Sequence, residues 1–186
     1  DPAKTQRQFA RTAEGTRSHP TGAERSARMD GRASRRRAQA ASQETAPVIY
    51  MFDTTVVSAL VHLRRGFENI ARRIDALGLE QRVVSVITLS ELHTMIAKAD
   101  EPQAKTVRVW RVLLNFRIED FGEHAALHVG QIRADLEPRG MKIGPLDTLI
   151  AAHARSLDAV LVTDNVREFS RVPGLTVENW LRRPAD

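Results

Sequence analysis

From Val48 onward the chain alternates short apolar runs with longer stretches of helical periodicity. Val48–Phe52 is apolar throughout and ends at an acid, Asp53. Over 54–65, Val56, Val57, Leu60 and Leu63 fall on one face of a predicted helix. A second helix is predicted over 67–77, with Gly78 as its stop. The β-branched stretch 83–87 predicts a strand. Thr88-Leu-Ser-Glu91 then matches a capping box, which predicts a helix from there to about Ala99. A helix over 102–115, a short strand over 117–119 and a helix over 123–137 are predicted next. Gly144-Pro145 breaks the pattern and starts a helix reaching about Leu157, with Pro145 in its first turn. Residues 159–163 predict a strand ending at Asp164, and 175–177 a last short one. No internal repeat is present.

Strands that alternate with helices and are apolar throughout point to an α/β fold, with a parallel sheet covered on both faces. In such sheets the ligand site lies beyond the carboxyl ends of the strands, which is where the chemistry is expected.

The chain has 186 residues, enough for one domain and an appendage. Residues 1–46 contain no Ile, Leu, Val, Trp or Tyr, and one Phe. Such a segment cannot bury enough apolar surface to offset its ordering entropy. It reads as a disordered basic tail or a non-native extension, ahead of a folded domain over 47–183. The chain begins at Asp1 rather than Met, and Met29 and Met51 are internal candidates for a start. Upstream sequence read into this frame would account for the tail. The formal net charge of +5 belongs wholly to the tail, which holds 10 Lys and Arg against 5 Asp and Glu. Residues 47–186 carry 18 of each sign, so bulk positive charge is the wrong picture of the folded part. The absence of cysteine excludes disulfides, thiolate metal sites and cysteine nucleophiles. No apolar run approaches the roughly 20 residues of a membrane helix, and no signal-peptide pattern is visible. A cytoplasmic setting and no membrane partner are expected.

Four acids gather at one edge of the predicted sheet. Asp53 follows the first strand and Asp164 the strand over 159–163; Glu91 lies near the start of the helix after the second strand. Asp147 sits in the first turn of the helix opened by Gly144-Pro145. Topology alone leaves open whether that turn faces the site. Crowded carboxylates repel, and a hard divalent cation such as Mg²⁺ or Mn²⁺ relieves the conflict. An all-carboxylate pocket of this kind suits phosphodiester hydrolysis. Thr54, Thr163 and Asn165 flank the acids and are placed to hold water or orient carboxylates. Each acid also has a structural reading. Glu91 completes the Thr88 capping box, Asp147 complements a helix dipole, and Asp53 and Asp164 are ordinary strand-end aspartates.

At these residues the sequence resembles a PIN domain of the VapC toxin ribonucleases, from bacterial type II toxin–antitoxin modules. The matching stretches are Met51-Phe-Asp-Thr-Thr-Val-Val-Ser58, Ser85-Val-Ile-Thr-Leu-Ser-Glu-Leu92, Ile132-Arg-Ala-Asp-Leu-Glu137, Ile143-Gly-Pro-Leu-Asp-Thr-Leu-Ile-Ala-Ala-His153 and Leu161-Val-Thr-Asp-Asn-Val-Arg-Glu-Phe169. The ending Val172-Pro-Gly-Leu-Thr-Val-Glu-Asn-Trp180 also matches. The resemblance spans Val48 to Trp180 and leaves 1–46 uncovered.

It implies a central parallel sheet of four or five strands and Mg²⁺- or Mn²⁺-dependent endoribonuclease activity leaving a 3′-hydroxyl and a 5′-phosphate. It also implies a homodimer and a cognate VapB-type antitoxin, with transfer or ribosomal RNA as substrate. By motif match the catalytic, metal-binding acids are Asp53, Glu91, Asp147 and Asp164. Asp53, Asp147 and Glu91 would hold one cation, and Asp164 would complete the site or recruit a second. Two departures stand out. Asp53-Thr54-Thr55 replaces the family's Asp-Thr-Asn, and Asp164 stands where many relatives carry Asn.

Arg167 and Arg171 are the candidates to steer the RNA backbone, with solvated loop arginines as the alternative. His124 and His128 are four apart on a helix but lack a third ligand at motif spacing, and read as a surface or half-buried pair. His153 reads as a packing residue. The helix carrying Trp110, Leu113 and Leu114 reads as burying all three in the core or a dimer seam. Two rival functions are a catalytically silent PIN-like module that binds RNA or an antitoxin, and a receiver-like signalling domain. The latter would need a late lysine, and none follows Lys142.

Overall fold

The computed structural model describes residues 47–181. The tail expected over 1–46 lies outside the described residues, as do 182 and 183 at the end of the expected domain.

Five parallel strands form one sheet: β1 (Tyr50–Phe52), β2 (Arg82–Ser85), β3 (Arg117–Glu119), β4 (Val160–Val162) and β5 (Val177–Glu178), in spatial order β3-β2-β1-β4-β5. Seven helices connect them: α1 (Thr54–Val61), α2 (Phe67–Asp75), α3 (Val86–Ala97), α4 (Pro102–Leu113), α5 (Glu123–Leu136), α6 (Pro145–Ser156) and the short α7 (Val166–Phe169). The expected α/β architecture is the one observed.

Alternation along the strands divides the core in two. Phe52, Val84 and Val162 face a cluster with Val56 and Val57 of α1, Ile70 of α2, Leu92 of α3, Val109 of α4 and Trp180. Met51, Val83 and Leu161 face the other way, onto Ile132 and Leu136 of α5, Ile150 and Ala151 of α6, and Phe169. Both faces of every central strand are buried, which is why these strands read as continuous apolar runs. Trp180 closes the first cluster. Its ring lies 5.1 Å from Tyr50 and 5.3 Å from Phe52, with the Arg73 guanidinium 3.9 Å above it.

The chain runs outward from β1 to β2 and β3, then returns to β4 on the other side of β1. The order therefore reverses between β1 and β4, where open parallel sheets form a crevice at the strands' carboxyl ends. Asp53 and Asp164 both emerge at this point.

Several element ends depart from the sequence expectation. The strand over 83–87 stops at Ser85, and the helix begins at Val86 rather than Thr88. Ser85 is the cap, its hydroxyl accepting from Ile87 N at 3.1 Å. Thr88 is instead buried inside the helix, so no capping box forms there and Glu91 lies beyond the first turn. Burial of Thr88 and Leu92 against the sheet overrides the β-preference of Val86-Ile87-Thr88. The first helix ends at Val61 instead of Arg65, because Leu63 turns into the left-handed region at φ 49°. Helix α7 and a 3₁₀ turn at Leu79–Gln81 were not expected. Of Trp110, Leu113 and Leu114, Leu113 alone reaches the core, beside Val109. Trp110 is 41% exposed and Leu114 79%, which corrects their place in the core and leaves the dimer seam as the place expected for them.

Candidate active site

Asp53 is the fixed point of the site. It follows β1 directly, its backbone N–H donating to Val162 O of β4 at 3.0 Å. It caps α1, and the side chain accepts from Thr54 N at 2.6 Å. Its second oxygen accepts from the hydroxyls of Thr55 at 2.8 Å and Thr163 at 2.7 Å. Only 3% of Asp53 is exposed. A buried carboxylate needs its oxygens satisfied, and strand end, helix cap and neighbouring strand together supply the donors.

Glu91, on α3, is held by Thr54, whose hydroxyl donates to Oε2 at 2.5 Å. Asp147 lies in the first turn of α6 and folds back over Gly144. A Cβ at position 144 would sit 3.2 Å from Asp147 Oδ2, so glycine leaves the carboxylate room. Asn165, the cap of α7, reaches the same oxygen from 3.4 Å. Thr54, Thr163 and Asn165, singled out from sequence, each touch a different acid.

The charges are crowded. Asp147 is pushed up to about 6, first by burial and then by the negative charges of Asp53, Glu91 and Glu168. Asn165 bonds Asp147 and, through its backbone N–H, Thr163 Oγ1, so the first turn of α6 does face the site. Glu168, in α7, was not singled out from sequence; the available signal was its place six residues after the end of β4.

Asp164 is placed differently. It is exposed, accepts from Asn179 Nδ2 at 2.8 Å, and does not figure among the charges that raise Asp147. Its backbone N–H donates to Thr55 Oγ1 at 3.2 Å. Thr55, standing where the family has Asn, thus bridges Asp53 and the Asp164 backbone, a role sequence reading did not assign. Arg167 is exposed, with no side-chain partner among the described residues. Arg171 instead binds Lys142 O at 3.1 Å and Glu168.

The donor set suits a hard divalent cation: all oxygen, anionic, and carrying negative charge that raises Asp147. The carboxylates share one field without converging. Among the described residues, no three His or carboxylate side chains stand close enough to form a ready-made ligand cage.

The other histidines fit the bland readings. His153 is 2% exposed, its Nδ1 2.8 Å from Ser85 Oγ and its ring against Phe121. His124 is exposed, and His128 accepts from Arg155 Nε at 2.8 Å.

A family model described as PIN domain matches residues 50–175. The tRNA(fMet)-specific endonuclease VapC of Salmonella typhimurium is 36% identical over 131 residues, covering 70% of this chain and 97% of that protein. Ribonuclease VapC2 of Haemophilus influenzae is 38% identical over 132 residues, covering 71% and 98%. Among solved structures, DNA-bound VapBC from Salmonella typhimurium matches with TM-score 0.67 at 34% identity, covering 72% of this chain and 99% of that one. VapBC2 from Rickettsia felis, bound to a DNA fragment from its promoter, matches with TM-score 0.64 at 30% identity, covering 72% and 99%. The chain belongs to the PIN-domain family, among the VapC ribonucleases.

Proposed function

We propose that the chain is a divalent-cation-dependent endoribonuclease, acting as the toxin of a type II toxin–antitoxin pair. The observation that carries the reading is the hydrogen-bonded linkage of Asp53, Glu91 and Asp147 at the β1–β4 crevice through Thr54, Thr163 and Asn165, in a chain whose relatives are named ribonucleases.

Asp53, Glu91 and Asp147 would hold the cation, Mg²⁺ or Mn²⁺. Asp164 would complete the site from the Asn179 side or serve a second cation. When bound, the cation neutralises the carboxylates, polarises the phosphoryl oxygen and activates water for hydrolysis. The chain's own part is to fix the donors. Thr55 and Thr163 orient Asp53, Thr54 orients Glu91, and Asn165 orients Asp147, and the closing of the three carboxylates on the cation would come with its binding. The products would be a 3′-hydroxyl and a 5′-phosphate.

A VapB-type antitoxin is the expected partner, since the similar structures from Rickettsia felis, Salmonella typhimurium and Haemophilus influenzae are of VapBC pairs. Transfer RNA is the first substrate to try, given the name of the Salmonella relative. A homodimer and a cytoplasmic site of action belong to the same reading. Among the described residues no helix is long and apolar enough to cross a membrane.

The test is brief induction in cells with mapping of new RNA 5′ ends, for wild type and Asp53→Ala. New 5′ ends in wild type alone support the reading. Identical patterns in both would refute it, and no new ends in either would favour the catalytically silent binding module.

A further inference from the structure

Beside the acids lies a cleft of about 1070 Å³, walled by Thr55, Arg64, Arg65, Asn69, Arg72 and Asp164 among others. Thr55 and Asp164 are its link to the active site, because Thr55 Oγ1 bonds both Asp53 and the Asp164 backbone. The cleft is continuous with the crevice but built from other elements: the α1–α2 loop, α2 and the chain at Leu181.

Three arginines define its chemistry. Arg64 and Arg65 are exposed, and neither side chain has a hydrogen-bond or ion-pair partner among the described residues. Arg72 is held by Asn69 Oδ1 at 2.6 Å. Glu68 and Asp164 share the wall, and Asp164 is occupied by Asn179. Three guanidiniums against two carboxylates leave this flank with a net of one positive charge, beside a crevice edge that is acidic.

The loop is built to hold this shape. Leu63 adopts φ 49° and Gly66 φ 93°, which turn the chain sharply around Arg64 and Arg65. At Gly66 a Cβ would lie 2.3 Å from the Leu181 carbonyl, so only glycine permits the close approach.

We propose that this cleft seats the ribose-phosphate backbone of the RNA strand leading away from the scissile bond, with Arg64, Arg65 and Arg72 on successive phosphates. The proposal rests on the ribonuclease reading above. Planar guanidinium forks match phosphate oxygens, and those of Arg64 and Arg65 are unpaired while Asn69 holds Arg72 in place. Contacts to phosphate fix the position of a strand and carry no base information of their own. It also answers how a domain of zero net charge gathers RNA: the affinity is local. This adds Arg64, Arg65 and Arg72 to Arg167 as residues that would steer the backbone, while Arg171 is taken up by Lys142 O and Glu168.

The test is fluorescence anisotropy with a labelled 12-nucleotide single-stranded RNA of mixed sequence, in EDTA, on the full chain across a KCl series. The cleft variant is Arg64→Gln/Arg65→Gln/Arg72→Gln. The control, Arg111→Gln/Arg133→Gln/Arg139→Gln, removes equal charge outside the cleft. Losing three phosphate contacts should lower the slope of log affinity against log salt by about 2, and weaken binding roughly tenfold or more at 150 mM salt. The control should keep most of the slope, and the triple Arg→Lys variant should restore it. Single Arg65→Glu, at a fully solvated position, gives the same direction should the triple variant fail to fold.

Equal loss in cleft and control variants would overturn the proposal in favour of bulk charge. Unchanged RNA binding by the cleft variant, with loss of binding to a poly-glutamate peptide, would make the cleft a protein site and overturn it too. Because the measurement runs without metal, failure to cleave RNA would refute the ribonuclease reading while leaving this slope to be judged separately.

Discussion

The Thr163 hydroxyl, at the end of β4, donates to Asp53 Oδ2 at 2.7 Å, across the point where the strand order reverses. Both residues are essentially inaccessible to solvent. This bond ties the carboxyl end of β1 to that of β4, so the stability of the sheet and the geometry of the candidate site depend on the same pair.

Thr163→Val keeps the shape and removes the donor. The buried carboxylate is then short of a partner, which should cost about 1–3 kcal/mol in urea unfolding. Cleavage should fall with it, because Asp53 loses an orienting contact. Unchanged unfolding would show that Thr55 alone suffices.

Asp147 carries a folded-state pKa of about 6, against an ordinary 3.8. The folded protein therefore binds the proton more readily than the unfolded one, so stability is lost as pH rises from about 4 to about 6 and stays lost above that. Asp147→Asn should unfold at higher urea than wild type in EDTA at pH 7.5, and the difference should shrink as pH falls toward 4. The same variant should lose cleavage and any stabilisation by Mn²⁺. The measurement is a set of urea midpoints across pH, with and without Mn²⁺.

His153 shows the opposite sign. Burial lowers its pKa below the ordinary 6.5, with Asp120 opposing. The unfolded chain protonates first as pH falls, so stability from neutral His153 is present above about 6.5 and lost below it. His153→Gln should flatten this part of the pH profile, read by thermal unfolding between pH 5 and 8.

Thr88 is fully buried, and its hydroxyl has no hydrogen-bond partner among the described residues. Thr88→Val replaces an unsatisfied polar group with a methyl of the same size. Stability should stay level or rise by about 1 kcal/mol, measured by urea denaturation. A loss would mean that the hydroxyl has a bonding role.

Gly66→Ala introduces a Cβ against the Leu181 carbonyl at a positive φ. It should destabilise by more than about 1 kcal/mol and weaken RNA binding more than cleavage of bound RNA, seen as a higher KM with kcat little changed.

Much of the site was legible because strand ends are marked by acids. Asp53 and Asp164 follow apolar runs of β-branched and aromatic residues, and Asp147 follows a Gly-Pro break. Thr54, Thr163 and Asn165 were legible for the same reason, as the polar residues nearest those acids. What escaped the sequence depended on tertiary burial. Ser85 and Thr88 compete locally for the same cap, and only packing of Thr88 and Leu92 against the sheet decides for Ser85. Trp110 and Leu113 share a helical pattern that fits either face, and the fold buries Leu113 alone. Glu168 and the three cleft arginines sit in elements whose direction follows from chain turns at Leu63, Gly66 and Asn165, which no periodicity encodes. Asp164 reads as equivalent to Asp53, yet Asn179 holds it at the edge of the cleft.

The central claim is that Asp53, Glu91 and Asp147 hold one divalent cation that drives RNA hydrolysis. The most direct measurement is the rate of transfer RNA cleavage by the purified full chain against Mn²⁺ concentration, for wild type and for Asp53→Asn, Glu91→Gln and Asp147→Asn. Wild type should be silent in EDTA and rise to saturation with Mn²⁺, and each variant should lose at least about 100-fold. Cleavage that persists in EDTA, or that survives all three substitutions, would contradict the account.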